Sequence, residues 1–486
     1  MIDKEGSGKN SDYQPSTNLY KINLMEEKMI GKRIYQVFAL FMAGLMLLSA
    51  CAPNPTVTTP VKITIFVGFG AGSDPDSMAA LNTIATEYNT SHTDIQVEFM
   101  FSTWEEHTSK FSTLLAGDLA PDLAFPIGIQ GIAEFYDEWI DVSPYIKRNN
   151  YDSSDFYGPS LQLLTFNNKK IGLPLGVYPS VTFINEDLFD AAGVAYPPTS
   201  YGDATWTLQK MVDIGQKLTL DENGNNAASS NFDPAKITQW GWGGWCGPFR
   251  TVPGKFGGNP LGMSADFKHA DMNTGGYLEG MQFLYDSIYT SHIRPSSVDE
   301  GSTFTGMDFT FESGKVAMFE CFSWASYAFP NFTTAGNWNV SAVPAGPHGD
   351  VVSPVNADTF AISSHSKNPD QAWEVAKWLM EPAMQSRLCG IFGCIPSRKS
   401  LASAWIDKMK ADYPNVDFQV FIDSINYMDA SPNNESWVPN YSKVWDATEN
   451  AMSRILSGDS SDVKQVMDDL QAEVQAYLDE YWTTHP

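Results

Sequence analysis

The first regular segment of the chain reads VKITIFVGFGAGSDPDSMAALNTIATEY, residues 61–88. Its first seven residues place apolar side chains at every second position, which predicts a β-strand. Glycines at positions 68, 70 and 72 interrupt the strand, and Asp74-Pro75 has the form of a helix cap and first turn. An apolar stripe at helical spacing follows, formed by Met78, Leu81, Ala85 and Tyr88. The segment therefore predicts a strand, a loop and a helix in succession.

The next segment repeats this order. Alternating apolar residues predict a second strand over 95–101, and Thr103 to Glu106 reads as a capping box that opens a helix ending at Gly117. Residues 123–125 predict a third strand. Strands and helices that alternate in this way form a parallel sheet, whose ligand-binding loops lie beyond the carboxyl ends of the strands. The sequence therefore predicts an α/β fold.

The N-terminal region has the pattern of a secretion signal. After Met29 a short basic stretch precedes an apolar run over 34–48, which ends in Leu-Ser-Ala-Cys at Cys51. That run is shorter than the roughly 20 residues that a membrane-spanning helix needs. Leu-Ser-Ala-Cys resembles the lipobox of bacterial lipoproteins, which implies cleavage before Cys51 and attachment of lipid to its sulfur. The alternative is an ordinary buried helix.

These features divide the N-terminal part of the chain. Residues 1–50 are predicted to be a dispensable stretch followed by the lipoprotein signal peptide. Residues 51–60 are rich in Pro and Thr, which predicts an extended, lipidated tether. We therefore expect an extracytoplasmic protein that is anchored to the cell membrane.

Charge restricts the classes of partner. The chain has 30 basic and 57 acidic residues, a formal net charge of −27, and a hydrophobic content of 43% that excludes general disorder. Such a negative field disfavours nucleic acid, anionic membrane surfaces and highly anionic ligands. Contact with the membrane is therefore expected through the lipid anchor only.

Four cysteines follow Cys51, at positions 246, 321, 389 and 394. An even number in an oxidising compartment permits two disulfides in three connectivities. Cys389 and Cys394 are close enough in sequence for a local bridge, which leaves Cys246 to pair with Cys321; free thiols are the alternative. No His lies at metal-ligand spacing from these cysteines, so neither a metal site nor a cofactor is expected.

Six segments of the chain, spread over about 300 residues, match one known family in the same order. They are FSTWEEHTSKFSTLLAGDLAPDLAF (101–125), KKIGLPLGVYPSVTFINEDLFDAAGVAYPPTS (169–200), FESGKVAMFECFSWA (311–325), VPAGPHGD (343–350), SSHSKNPDQAWEVAKWLM (363–380) and IPSRKS (395–400). They resemble the family 1 extracellular solute-binding proteins of ABC importers, which include maltose-binding protein. The resemblance implies a periplasmic-binding-protein fold, in which two lobes, each a sheet flanked by helices, are joined by crossover strands and close on a solute.

The resemblance also implies domain boundaries and a function. Lobe 1 would comprise residues 61–176 and 348–393, and lobe 2 residues 177–345 and 396–486. The protein would be a monomeric, non-enzymatic receptor that captures a sugar or oligosaccharide and delivers it to the permease subunits of an ABC transporter.

Tryptophans are the first candidates for contact with a sugar, because sugars stack their apolar faces on aromatic rings. Trp240, Trp242 and Trp245 alternate with glycines in QWGWGGW, which favours exposed rings; packing into lobe 2 is the alternative. Trp324 follows the GKVAM motif at 314–318, and the aromatic residue after this motif faces the cleft in the family. Trp324 is therefore the strongest single candidate.

Two candidates lie near the predicted strand ends. Trp104 begins a predicted helix at the carboxyl end of a strand, where a ligand is expected, although it could pack against Phe111 instead. Asp74 could bind a sugar hydroxyl, but the role of helix N-cap is favoured.

The family's chain path supplies the remaining candidates. Tyr178 corresponds to the first crossing between lobes, Asn356 and Asp358 to the returning crossover, and Trp437 to the C-terminal segment that can cover the ligand. Trp373, in contrast, lies on a plain amphipathic helix and is expected to pack.

The main competing function is a secreted glycoside hydrolase or another carbohydrate-active lipoprotein, because aromatic residues with paired carboxylates also serve hydrolysis. The chain has no Gly-x-Ser-x-Gly, His-Glu-x-x-His or Gly-rich nucleotide-binding motif. The sequence therefore favours a binding protein.

Overall fold

The computed structural model describes residues 59–429 and 432–485. The predicted signal peptide, Cys51 and residues 51–58 of the predicted tether lie outside the described residues. The strands are β1 (Val61–Val67), β2 (Ile95–Phe101), β3 (Leu123–Gly128), β4 (Thr165–Phe166), β5 (Lys169–Lys170), β6 (Gly176–Asn185), β7 (Leu220–Asp221), β8 (Ile237–Gln239), β9 (Met318–Phe322), β10 (Trp338–Ser341), β11 (Val355–Ile362) and β12 (Ile395–Pro396).

Sixteen α-helices are described between residues 59 and 485. They are α1 (Pro75–Ser91), α2 (His107–Ala116), α3 (Ile129–Glu134), α4 (Ser143–Arg148), α5 (Glu186–Ala192), α6 (Leu208–Leu218), α7 (Pro248–Lys255), α8 (Gly275–Tyr289), α9 (Ser297–Thr303), α10 (Phe329–Ala335), α11 (Pro369–Leu379), α12 (Pro382–Phe392), α13 (Ala402–Asp412), α14 (Gln419–Ser424), α15 (Tyr441–Ser457) and α16 (Val463–Thr484).

The predicted strand–loop–helix units form the first sheet and the helices packed on it. β1 pairs in parallel with β2 and β3, and β11 joins the sheet antiparallel to β3, so the sheet is mixed. α1 buries Leu81, Ala85 and Tyr88 against it, which are three of the four stripe residues expected from the sequence. The carboxyl ends of β1, β2 and β3 therefore lie at one edge of the sheet.

β6 belongs to two sheets. Its first residues, from Gly176 to Pro179, pair with β11 and β12. Its later residues, from Ser180 to Asn185, pair with β9 and β10. The chain therefore crosses along β6 from the sheet built on β1 to β3 into a second, antiparallel sheet.

Two of the three buried clusters in the described part of the chain contain most of the helices that flank the sheets. One packs α1, α11 and α12 against β1, β2 and β3, and includes the fully buried Trp373. The other is formed by α6, α7, α8, α15 and α16, and includes the fully buried Met281 and Leu284. Each sheet is thus covered by its own helices, which is the α/β architecture expected from the sequence.

The start of α2 differs from the prediction. The helix begins at His107, and Glu106 at the cap position makes no side-chain capping hydrogen bond. The His107 ring bonds instead to the main-chain carbonyl of Trp104. The predicted capping box at Thr103 is therefore wrong, because residues 104–106 form a turn ahead of the helix.

Candidate ligand-binding site

A cavity of about 910 Å³ lies beyond the carboxyl ends of β1, β2 and β3 and beside the crossover strands β6 and β11. Six of the residues predicted to bind ligand line it: Asp74, Trp104, Tyr178, Trp324, Asn356 and Asp358. They come from five separate parts of the sequence. The fold therefore brings most of the predicted site together at the edge of the sheet where α/β proteins bind ligands.

The floor of the cavity is polar and is built from the two crossover strands. Tyr178 on β6 lies opposite Asn356 on β11, and Asp358 is two residues further along β11, so Asn356 and Asp358 share a face of the strand. The Tyr178 hydroxyl donates to Oδ2 of Asp358 at 2.9 Å. Oδ1 of Asn356 is buried and has no hydrogen-bond partner. An acceptor without a donor is thus available to a ligand hydroxyl or amine.

Two glycines bring backbone close to the Asp358 carboxylate. A Cβ added to Gly70 would lie 3.5 Å from Oδ2, and one added to Gly128 would lie 3.3 Å from Oδ1. Burial raises the pKa of Asp358 to about 6, although the hydrogen bond from Tyr178 lowers it in part. Burial and the neighbouring carboxylate raise the pKa of Tyr178 well above its ordinary value. Tyr178 therefore acts as a donor toward Asp358.

Aromatic rings form the walls of the cavity. Trp104 is 49% exposed and Tyr327 is 60% exposed, so both offer ring surface to solvent. Trp324 is half-buried, with ring centroids 5.9 Å from Phe309 and 6.0 Å from Phe322. Exposed rings of this size bury large apolar areas when a ligand stacks on them. The walls can therefore hold the flat apolar face of a ring-shaped ligand.

Asp74 lines the cavity and also caps α1. Its carboxylate accepts hydrogen bonds from the backbone N–H groups of Asp76 and Ser77 at 3.1 and 3.0 Å. Partial burial raises the pKa of Asp74, but the hydrogen bonds of Ser77 and Asp76 outweigh it and hold the pKa below its ordinary value. The N-cap role favoured from the sequence is confirmed.

The three tryptophans of QWGWGGW are buried in the core, contrary to the expectation that they contact ligand. Trp240, Trp242 and Trp245 are 2%, 0% and 4% exposed, and none lines the cavity. A Cβ on Gly241 would lie only 2.0 Å from the carbonyl oxygen of Gly215. The glycines therefore let this segment pack tightly against neighbouring backbone, and the rings fill the core.

Trp437 also lies elsewhere than predicted. Its ring stacks on Tyr136 with centroids 4.9 Å apart and meets the edge of Phe267 at 5.7 Å. It lines a separate groove, while Glu435, two residues earlier, lines the ligand cavity. The C-terminal segment does reach the cavity, but it contributes the carboxylate of Glu435 and not the ring of Trp437.

Glu435 is held by a buried arginine. Arg250 on α7 donates from Nη1 to Glu435 Oε2 at 3.1 Å, and its Nε lies 2.9 Å from Asp429 Oδ2. Nη2 also donates to the main-chain carbonyl of Val355 at the start of β11. Burial raises the pKa of Glu435 and Asp429, and the charge of Arg250 opposes this shift in both. Arg250 thus fixes Glu435 at the cavity wall.

Two of the lining residues were missed by the sequence analysis. Tyr327 lies three residues after Trp324 in SWASYAF, so a second aromatic in the same short turn was the available signal. Glu435 lies within PNNESW (432–437), whose residues show no periodicity and no motif.

The two disulfides join Cys246 to Cys321 and Cys389 to Cys394, the pairs that the sequence favoured. Residues 390–393, between the second pair, line the cavity. Among residues 59–429 and 432–485 no helix is long and apolar enough to cross a membrane. The same residues contain no cluster of His, Cys, Asp and Glu that could hold a metal ion.

The chain is similar to many known proteins, of which three illustrate the likeness. A substrate-binding protein from Listeria monocytogenes in complex with cycloalternan has a TM-score of 0.67 at 20% identity and covers 86% of this chain and 99% of its own. A cyclic alpha-maltosyl-1,6-maltose binding protein from Arthrobacter globiformis has a TM-score of 0.66 at 19% identity, covering 87% of this chain and 100% of its own. The galactooligosaccharide-binding protein of Bacillus subtilis is 23% identical over 314 residues, 64% of this chain and 66% of that protein.

The fold of these structures is the periplasmic-binding-protein fold expected from the sequence. The model of one family, the bacterial extracellular solute-binding proteins, matches residues 71–386. This family consists of solute receptors and not of enzymes. The chain belongs to the family of bacterial extracellular solute-binding proteins.

Proposed function

We propose that this protein is the extracytoplasmic receptor of an ABC importer and that its solute is a sugar or short oligosaccharide. The observation that carries the proposal is the cavity, which is lined both by the rings of Trp104, Trp324 and Tyr327 and by the acceptors of Asn356 and Asp358. Sugars need this combination, because they present apolar C–H faces ringed by hydroxyl groups.

The size of the cavity favours more than one sugar ring. Ligand pockets range from about 300 to 1,000 Å³, and this cavity, at about 910 Å³, lies near the upper end. The solutes of three similar proteins, which are cycloalternan, cyclic alpha-maltosyl-1,6-maltose and galactooligosaccharide, support the same class of solute.

Capture would take place between two lobes. We place lobe 1 at residues 61–176 and 348–393 and lobe 2 at residues 177–345 and 396–486. The division of β6 between two sheets supports a boundary close to residue 177. A ligand at the crossover strands would contact both lobes and so favour a closed arrangement over an open one.

Delivery would require the receptor to remain near its permease. The Leu-Ser-Ala-Cys sequence supports a lipid on Cys51, and residues 51–60 would then tether the lobes to the membrane surface. The monomeric receptor would pass its solute to the permease subunits without chemical change.

A thermal-shift screen of the purified protein tests the solute class. The screen compares neutral oligosaccharides, monosaccharides, amino acids and short peptides at equal concentration. A true ligand at one hundred times its dissociation constant stabilises the folded state by about 2.7 kcal/mol. Stabilisation by carbohydrates alone is expected. Stabilisation by peptides or amino acids, with none by any carbohydrate, would replace the proposal.

A further inference from the structure

The charged side chains described in the lining of the cavity are all acidic. Among its described lining residues are three carboxylates, Asp74, Asp358 and Glu435, and no Lys, Arg or His. The whole chain also carries a formal net charge of −27. The electrostatic potential inside the cavity is therefore negative and attracts cations in preference to anions.

Two of these carboxylates are already compensated by the protein. Asp74 accepts backbone N–H bonds at the start of α1, and Glu435 pairs with Arg250. Asp358 has no such cation: none of the ion pairs among the described residues includes it, and its side-chain partner is the neutral hydroxyl of Tyr178. Asp358 is therefore a nearly buried acceptor whose charge the protein does not balance.

A cationic group on the ligand would complete this arrangement. A buried carboxylate without a counter-ion is unfavourable, and a ligand ammonium removes that cost where a hydroxyl group supplies only a neutral hydrogen bond. An ammonium also has three N–H donors, so it can reach Asp358 and the unpartnered Oδ1 of Asn356 on the same strand face. The rings of Trp104 and Trp324 are surfaces over which cations bind as well.

We propose that the site selects carbohydrates bearing a protonated amine, which is placed between Asp358 and Asn356, over their neutral counterparts. This inference rests on the proposed carbohydrate function and names its substrate class more closely. Sugars with carboxylate groups are disfavoured, because no basic side chain among the described lining residues would pair with them.

The groups around Asp358 set the pH dependence. Tyr178 faces it from β6, while the loops after β1 and β3 contribute Gly70 and Gly128, which do not titrate. Asp74, Glu435 and Tyr327 are the other titratable groups of the cavity. Because the pKa of Asp358 is about 6, its carboxylate is ionised at pH 7 and protonated at pH 5. The preference for the amine should therefore weaken between these two values.

Matched ligand pairs test the proposal by calorimetry on the purified protein. Glucosamine, galactosamine and mannosamine are compared with glucose, galactose and mannose, and the β-1,4-linked glucosamine trimer with cellotriose. In each pair an ammonium replaces one hydroxyl on every sugar ring, so the monosaccharides differ at one position and the trimers at three. At pH 7 at least one aminated member should bind about tenfold or more tightly than its neutral partner. At pH 5 that ratio should fall toward one.

The Asp358→Asn variant separates the charge from the shape of the site. It keeps an acceptor for the Tyr178 hydroxyl and should lose the preference for the amine, so that the ratio of affinities within each ligand pair falls toward one. Asp213→Asn, an exposed change on α6 outside the cavity, makes the same change in net charge and should keep the preference. Melting temperatures of both variants verify that they are folded.

Each outcome decides the question. If no aminated sugar binds more tightly than its neutral partner, or if Asp358→Asn keeps the full preference, the inference is wrong. Binding of neutral sugars alone would contradict this inference but would agree with the proposed function. Absence of binding by every sugar, aminated or neutral, would contradict both.

Discussion

Trp324 lies in the wall of the cavity, where its ring is partly packed against other aromatic rings and partly exposed. One part of its ring contacts Phe309 and Phe322, and the rest lines the cavity. Trp373, by contrast, is fully buried beneath the first sheet. Substitution of Trp324 therefore tests the free energy of ligand binding, and substitution of Trp373 tests the free energy of folding.

We expect Trp324→Ala to weaken carbohydrate binding by about 2 kcal/mol or more, the range for an aromatic anchor in an interface. Its melting temperature should change little, because the ring is only half-buried. Trp373→Ala is the control and should lower the free energy of unfolding by about 3–5 kcal/mol. Affinity is measured by calorimetry and stability by urea unfolding. A large loss of stability with unchanged affinity in Trp324→Ala would assign this ring to the core.

We expect Asp358 to lower the stability of the unliganded protein at neutral pH. Burial raises its pKa from 3.8 to about 6, so the folded state binds the proton more tightly than the unfolded state. Its favourable contribution is complete below pH 3.8 and is lost as the pH rises through 6, a change of about 3 kcal/mol. Asp358→Asn should therefore be more stable than the wild type at pH 7.

Urea unfolding of the unliganded wild type and Asp358→Asn at pH 4.5 and pH 7 checks this sign. The stability advantage of the Asn variant should grow as the pH rises. An advantage that is constant with pH, or larger at pH 4.5, would show that Asp358 does not titrate as an uncompensated carboxyl.

Helices and strands with a clear periodicity of apolar residues could be predicted from the sequence. Segments whose conformation depends on close packing could not. Alternating residues gave β1 and β2, and a helical stripe gave α1, because one face of each element is buried. The loop at residues 239–245 was misjudged, since glycines between aromatic residues fit an exposed turn as well as a tightly packed segment. Only the contact of Gly241 with Gly215 distinguishes the two.

The same limit applies to the site. Tyr178, Asn356 and Asp358 line the cavity, and they could be proposed from the sequence because the family's chain path places crossover strands at the cleft. Glu435 was not, because its place at the cavity depends on its ion pair with Arg250, which is 185 residues away in sequence. Sequence periodicity carries no information about such a pair.

The two disulfides constrain segments of very different length. Cys246 and Cys321 are 75 residues apart, and Cys389 and Cys394 are 5 apart. From loop entropy, replacing the first pair by serines should cost about 4 kcal/mol of stability and replacing the second about 2 kcal/mol. The second variant should also bind ligand more weakly, because residues 390–393 would lose their restraint at the cavity wall.

Urea unfolding and calorimetry of the two double variants measure both effects. This account of the second bridge would be contradicted if the variant of Cys389 and Cys394 lost as much stability as the variant of Cys246 and Cys321, or more. It would also be contradicted if the variant of Cys389 and Cys394 bound ligand with unchanged affinity.

At the scale of the whole molecule, the polar cavity lies where the two sheets meet along β6 and β11. The chain has 57 acidic against 30 basic residues, a formal net charge of −27. A net charge of this sign and size disfavours binding to an anionic membrane. Retention at the membrane would therefore depend on the N-terminal lipid anchor that we propose.

We expect Cys51→Ser to release the protein from the membrane fraction into the soluble fraction, because the lipid-bearing sulfur is lost. Fractionation of cells followed by immunoblotting measures this, and mass spectrometry of the wild type should show the added lipid on Cys51. Retention of the Ser variant, with no added mass on the wild type, would argue against lipidation.

The central claim is that the protein captures a carbohydrate and releases it unchanged. The most direct test equilibrates the purified protein with a mixture of carbohydrates and peptides, removes unbound material, unfolds the protein and identifies the released molecules by mass spectrometry. We predict one intact carbohydrate per chain, and its loss in Trp324→Ala. Recovery of a peptide, or of cleavage products that accumulate with time, would contradict the claim.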